Sequence, residues 1–307
     1  RYWGLALPIW ECGECHWFTV ISGRDELQAK TIEGWDKFSK HSPHKPWVDD
    51  VKIRCEQCGE VASRIPDVGN PWLDAGIVPF STITDVSKKG VSYLGDKKYW
   101  SQWFPADFIT ESFPGQFKNW FYSLLCMATI LEDANPMKTV LGFATLLGGD
   151  GRPMHKSWGN AIEFNEGADK IGVDVMRWMY AKQDPANNLI FGYEVADQTR
   201  RSFHLTLWNI YNFFVTYANF DGWIPRKIPN SRFQIPNSRN VLDKWIIARL
   251  TQTLKITTES LDRFDAHVAA LAIEKFVEDL STWYIRRSRD RVGPASDNED
   301  DKKDFYE

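Results

Sequence analysis

The chain has 307 residues, which at about 150 residues per domain points to two domains. Hydrophobic residues make up 43% and charged residues 25%, with 37 basic and 41 acidic side chains for a net charge of −4. That balance excludes a mainly disordered chain and a uniformly basic nucleic-acid coat.

Residues 1–11 read as a strand, because YWGLALPIW is apolar almost throughout. The opening lacks Met, a basic n-region and an apolar h-region, so it reads as part of a longer chain with no signal peptide. No charge-free apolar stretch of about 18 residues is present, and a cytoplasmic protein with no membrane partner is expected. DVGNPWLDAGIVPFS (67–81) is turn-rich and apolar, as in loops lining a cleft.

Residues 116–132 carry Phe117, Trp120, Phe121, Leu124, Leu125 and Ala128 at helical spacing. KTVLGFATLL (138–147) reads as a buried strand that ends in a tight GGDG turn. A helix over 174–182 stops before Pro185, and Glu166 and Lys170 sit four apart just before it.

The remainder is helical, with patterns over 195–220, 241–263 and 266–290. IPNSR occurs twice, at 228–232 and 235–239, in a Pro/Asn/Ser linker. Residues 199–291 hold 15 basic and 9 acidic side chains, a local net of +6 suited either to a polyanion or to a solvated helix face. The acidic end, SDNEDDKKD, reads as frayed.

Four of the five cysteines form CGEC (Cys12, Cys15) and CEQC (Cys55, Cys58). Two such knuckles supply a tetrahedral S₄ set for structural zinc, with His16 as an alternative ligand and disulfides as the competing reading. Cys126, mid-helix, reads as a buried thiol. There is no G-x-S-x-G, Walker A or G-x-G-x-x-G motif. GRPMHKSWGN (151–160) instead sets Lys156 and Ser157 in a polar loop after a strand, where ligands of parallel α/β sheets bind. Lys156 there is a point charge for a phosphoryl group or a solvated surface lysine.

PMHKSWGN resembles the KMSKS loop of the class I aminoacyl-tRNA synthetases. RYWGLALPIWEC, PWLDAGIVPFS, FPGQFKNWFYSL, GADKIGVDVMRWMY, LTLWNIYNFFVTYANFD and EDLSTWYIRRSRDR resemble, in order, further segments of the isoleucyl branch. PWLDAGIVPFS is similar to that branch's VWxDSG segment, FPGQFKNWFYSL to its DQxRGWFxSL and GADKIGVDVMRWMY to its GAD-x-LR-W helix. The valyl and leucyl relatives, and a non-catalytic zinc-ribbon RNA-binding protein, are the alternatives.

The resemblance implies an α/β fold. Residues 1–11 and 67–185 would be the second half of a Rossmann-like nucleotide-binding core, and residues 12–66 a small zinc-binding insertion. Residues 186–227 would be a connecting helical region and 228–240 a linker. Residues 241–307 would begin an all-α anticodon-binding domain.

It further implies a monomeric isoleucine–tRNA ligase that uses isoleucine, Mg-ATP and tRNA(Ile). Trp72, Gln116 and Trp120 would shape the amino-acid pocket. Met154, His155, Lys156 and Ser157 would form the ATP loop, with Lys156 catalytic. Arg286, Arg287, Arg289 and Arg291 would meet tRNA phosphates, against an alternative of salt bridges to Glu278 or Asp279.

The chain also departs from the family pattern. Pro153 and His155 replace the first Lys and first Ser of KMSKS, Gly115-Gln116 stands for DQ, and Phe143-Ala144 for a His-Gly pair. Neither a HIGH motif nor room for an editing domain is found in these residues. The stretch by itself is therefore expected not to activate an amino acid.

Overall fold

The computed structural model describes residues 4–88, 90–225 and 240–307, and divides the chain into two compact units, Arg1–Gly142 and Phe143–Glu307. The IPNSR repeat and nearly all of the expected linker lie outside the described residues.

The first unit opens with an antiparallel sheet of β1 (Ile9–Cys12), β2 (Phe18–Val20), β3 (Thr31–Glu33), β4 (Lys52–Arg54) and β5 (Val61–Arg64). The strand order is β2-β1-β5-β4-β3, and Trp10 lies opposite Thr19 on one side and Arg64 on the other. Among the described residues, the apolar run predicted as one strand pairs regularly only from Ile9, with an isolated bridge from Ala6 to Val68. Pro8 has no N–H to give a ladder, which explains the interruption.

Trp10, Phe38, Val51 and Ile53 are almost fully enclosed beneath this sheet, and the Trp10 indole N–H donates to the Val51 carbonyl at 2.8 Å. Arg64 is buried as well. It donates to the Asp49 carboxylate and to the Leu7 and Asp67 carbonyls, joining the chain that enters the sheet to the chain that leaves it.

The rest of the first unit packs the Pro71–Gly76 helix against the Trp120–Glu132 helix, beside the pair β6 (Ile109–Ser112) and β7 (Val140–Phe143). The predicted helix over 116–132 starts at Trp120. Phe113–Gln116 forms a separate turn of helix, and Asn119 (φ −115°, ψ −99°) breaks the backbone between them. Cys126 is half-buried rather than enclosed.

In the second unit β8 (Leu146–Gly148) runs parallel to β9 (Leu189–Phe191). The single buried strand predicted over 138–147 is thus two strands, with Val140 and Phe143 exposed. The break falls at Ala144–Thr145, whose N–H groups donate to Pro185 O and Asn188 Oδ1 instead of continuing a ladder. The helices Phe164–Ile171 and Val173–Lys182 cover β8 and β9 through Ile171, Val175, Met176 and Met179. The former carries the expected Glu166–Lys170 pair at 2.7 Å.

A continuous helical run follows from Tyr193 to Phe220, with a wide π turn at Arg200–His204. Val241–Leu261 and Ala266–Asp279 form a helical hairpin. Trp178 Nε1 and Lys182 Nζ both reach Glu274 Oε1, at 2.7 and 3.2 Å, and hold the Val173–Lys182 helix to that hairpin.

The acidic end is not frayed. Glu299–Tyr306 is a helix capped by Asn298, with three acidic residues in its first turn where the helix dipole favours them. Phe305 and Tyr306 enter a core with Ala218, Ile246, Tyr284, Ile285 and Val292. No helix among the described residues is long and apolar enough to cross a membrane.

Candidate functional site

The sheet of the first unit brings the four paired cysteines together. Their Sγ atoms lie within 4.8 Å of one another, with Cys12–Cys58 at 3.5 Å and Cys15–Cys55 at 3.6 Å, and none is bonded to another. A tetrahedron of sulfurs about 2.3 Å from a zinc ion has edges of roughly 3.8 Å. The donor set therefore fits a soft tetrahedral cation.

The two knuckles share one backbone pattern. Cys12 N–H donates to Trp17 O and Cys55 N–H to Glu60 O, while the N–H groups of His16 and Gly59 return to Cys12 O and Cys55 O. His16 (φ 57°) and Gly59 (φ 82°) occupy the same left-handed position. His16 is thus the turn residue of its knuckle, and its exposed ring reaches Glu11 at 3.1 Å rather than the sulfurs. The amides of Cys58 and Gln57 hold the Cys55 thiol down at about 6. At Cys58 the Glu60 amide acts in the same direction, but the Cys15 and Cys12 thiols push the group up to about 12. As four thiolates these groups would repel one another, and a cation bound among them would offset that repulsion.

The amino-acid-pocket candidates also lie in the first unit. Asn70 Oδ1 caps the Pro71–Gly76 helix by accepting from Trp72 N at 2.9 Å, and Trp72 is 38% exposed. Gln116 does not share a continuous helix face with Trp120. Its Oε1 instead accepts from Trp120 N at 3.2 Å, at the start of the next helix. The Trp120 indole donates to Ala75 O at 3.3 Å, so Trp120 is packed on the helix that carries Trp72.

The spacing of these helices is set at Gly76. A Cβ there would lie 2.7 Å from the backbone carbon and oxygen of Ser123. Gly76→Ala must push the helices apart, and thermal unfolding is expected to show a loss of about 1–3 kcal/mol.

In the second unit, residues 150–160 leave β8 as a closed loop. Met154 is tucked against the Ile171–Met176 core, whereas His155, Lys156 and Ser157 are exposed. The His155 ring lies 4.4 Å from that of Trp158, and Lys156 has no ion pair among the described residues. Asp150 and Asn160, which no motif marks, brace the base of the loop. Asp150 Oδ1 accepts from Arg152 N at 3.0 Å, and its Oδ2 from Arg152 Nε and Nη2 at 2.9 and 2.7 Å. The Arg152 amide and guanidinium hold that carboxyl below the usual range.

The arginine cluster divides. Arg286, Arg287 and Arg289 are exposed, with the Arg287 guanidinium 4.4 Å over the Trp283 ring. None of them pairs with Glu278 or Asp279, which are taken by Lys275 and Arg249. Arg291 is only 8% exposed, against the expectation that it meets RNA. Its guanidinium holds Asp243 at 2.6 and 2.8 Å and Asp301 at 2.7 Å, and Tyr284 Oη donates to Asp243 at 2.8 Å.

Two relatives match nearly the whole of this chain. Isoleucine–tRNA ligase of Clostridium tetani is 36% identical over 301 residues, covering 98% of this chain and 27% of that protein. Isoleucine–tRNA ligase of Methanopyrus kandleri is 33% identical over 315 residues, covering 97% and 28%. The chain therefore spans little more than a quarter of the length of these relatives.

Two solved structures share the fold. The ternary complex of an Agrobacterium radiobacter K84 LeuRS with tRNA and LeuAMS matches with TM-score 0.64 at 18% identity, over 96% of this chain and 36% of that one. Mycobacterium tuberculosis methionyl-tRNA synthetase in complex with methionyl-adenylate matches with TM-score 0.57 at 16% identity, over 84% and 46%.

The anticodon-binding domain of tRNA ligases matches residues 243–305. The class I tRNA synthetase family (I, L, M and V) matches residues 1–191, and the chain belongs to that family.

Proposed function

We propose that this chain is part of an isoleucine–tRNA ligase, a cytoplasmic monomer that uses isoleucine, Mg-ATP and tRNA(Ile). The observation that carries the reading is the end-to-end match to relatives of that name, such as the one from Clostridium novyi, 36% identical over 100% of this chain. In the first step the isoleucine carboxylate attacks the α-phosphate of ATP, forming isoleucyl-adenylate and releasing pyrophosphate. In the second, a ribose hydroxyl of the tRNA 3′ end takes the acyl group and AMP leaves. Such chemistry is driven by positioning and by charge stabilisation.

Trp72 and Trp120 are suited to enclosing a branched aliphatic side chain by dispersion, with Gln116 fixing the start of the Trp120 helix. Lys156 neutralises charge developing on the leaving pyrophosphate, with Met154 anchoring the loop and His155 and Ser157 flanking the lysine. Cys12, Cys15, Cys55 and Cys58 hold zinc, which supplies structural cross-linking and takes no part in the reaction. Arg286, Arg287 and Arg289 contact tRNA phosphates, and the buried Arg291 does not.

The test is amino-acid-dependent ATP–pyrophosphate exchange by the full-length polypeptide that carries this chain. Exchange strongest with isoleucine and weaker with valine and leucine is expected, and a preference for valine or leucine would reassign the substrate. Lys156→Ala is expected to lower exchange by about 10²–10³-fold. A folded, metal-loaded protein with no exchange for any amino acid would leave the zinc-ribbon RNA-binding reading in its place.

A further inference from the structure

The loop that carries Lys156 lies on the surface, where an eleven-residue polar segment (150–160) would ordinarily sample many conformations. Here one side chain ties it across. Asn160 Oδ1 accepts from His155 N at 2.9 Å, and Asn160 Nδ2 donates to Pro153 O at 3.0 Å and lies 3.4 Å from Asp150 Oδ2.

Both ends of the amide are thus used, and the three partners lie on the outgoing limb of the loop that the side chain faces. The backbone adds Gly148 N to Arg152 O at 2.8 Å and a bridge between Leu147 and Pro153. His155 and Pro153 flank Met154, whose partly buried side chain packs against the Ile171–Met176 core. Lys156 follows immediately, at the start of a 3₁₀ turn closed by Trp158 N to His155 O at 3.0 Å. The residues on the N-terminal side of Lys156 are therefore tied to one another by these contacts.

We propose that Asn160 is a positioning residue for amino-acid activation, acting through the 153–155 backbone to hold Lys156 in its working position. The inference rests on the reading of this loop as the one that meets ATP. Pre-organisation of this kind lowers the cost of placing a charge on the leaving group at the moment of reaction. It also gives a physical role to two departures of this chain. Pro153 cannot donate from its backbone nitrogen and restricts its own φ, and its carbonyl is the group it offers to Asn160. His155 contributes its amide to the brace while its ring rests beside Trp158.

The experiment uses the full-length polypeptide, with four variants measured side by side. Asn160→Ala removes the brace. Asn160→Asp keeps the acceptor for His155 N but loses the donor and sets a second carboxylate against Asp150. The exchanged pair Asp150→Asn/Asn160→Asp restores a donor opposite an acceptor. Lys156→Ala reports on the loop reading itself.

For Asn160→Ala and Asn160→Asp the expected result is about a tenfold fall in kcat for isoleucine-dependent exchange, with the KM for isoleucine unchanged. The exchanged pair is expected to recover a part of that loss. Trypsin supplies a readout independent of activity. Arg152 precedes Pro153 and resists cleavage, so Lys156–Ser157 is the cleavable bond in the loop. Its cleavage is expected to be several-fold faster in Asn160→Ala.

Loss of exchange in Lys156→Ala, together with unchanged kcat and unchanged cleavage in both Asn160 variants, would overturn the positioning role and leave the ATP-loop reading intact. Unchanged exchange in Lys156→Ala would overturn both.

Discussion

Cys15→Ser or Cys55→Ser is expected to unfold residues 9–64 and leave them without metal, as would a strong chelator acting on the unaltered protein. A unit of this size buries too little surface to be secure by itself. Its enclosed core is small, comprising Trp10, Ile21, Leu27, Phe38, Val48, Val51, Ile53 and Ala62 together with two of the cysteines. Structural zinc contributes an apparent binding free energy of about 10–16 kcal/mol in small domains, well beyond what such a core supplies.

A metal held by the four cysteines would also tie Cys12, at the end of β1, to Cys55, just after β4, and so close a long loop that the unfolded chain would leave open. Elemental analysis should find one zinc per chain in the parent protein and none in the serine variants. Circular dichroism with and without chelator should show the loss of sheet. His16→Gly is the control. It should retain the metal and stay within about 1 kcal/mol of the parent, because glycine suits the left-handed backbone that His16 adopts. Loss of zinc in that variant would make His16 a ligand after all.

Arg291→Ala is expected to cost about 3–5 kcal/mol of stability in the helical part of the second unit, read as a shift in the denaturant midpoint. The penalty comes from what remains rather than from what is removed. Asp243 has a side chain only 4% exposed, and the substitution takes away both guanidinium contacts at 2.6 and 2.8 Å while the Tyr284 hydroxyl stays in place. Asp301 loses its anchor in the same step. The double variant Asp243→Leu/Arg291→Met should recover most of the loss, since apolar replacements of a buried ion pair are well tolerated. Arg286→Ala, Arg287→Ala and Arg289→Ala should each change stability by less than about 0.5 kcal/mol. Their effect is expected in RNA affinity, which should fall and lose part of its salt dependence.

These contrasts show where sequence carries information and where it stops. The cysteine pairs are legible because a C-x-x-C turn creates half a metal site from local geometry alone. The exclusion of His16 is not, because it follows from a backbone angle shared with Gly59 on the other knuckle. The four arginines of RRSRDR are alike in composition. The π turn at Leu280–Ile285 adds a residue to the helical count and shifts its phase, and Arg291 sits past the helix in a 3₁₀ turn. Periodicity could not have singled it out.

Asp150 and Asn160 were invisible for a different reason. Both are ordinary loop residues beside glycine, and only their positions across the loop make them a brace. The acidic end misled through composition. Seven charged residues hid the fact that Phe305 and Tyr306 finish a core.

That last feature bears on the order in which the protein is made. At roughly 5–20 residues per second of synthesis, residues 9–64 have every partner of their own core within reach as soon as Arg64 has left the ribosome and metal is at hand. The helical core is in the opposite position. Ala218 and Ile246 are made early but must wait until Phe305 and Tyr306 emerge before their aromatic lid exists. In the interval their apolar faces are open to passing chaperones, so a pause in translation just before residue 305 would lengthen the time this segment spends unfinished.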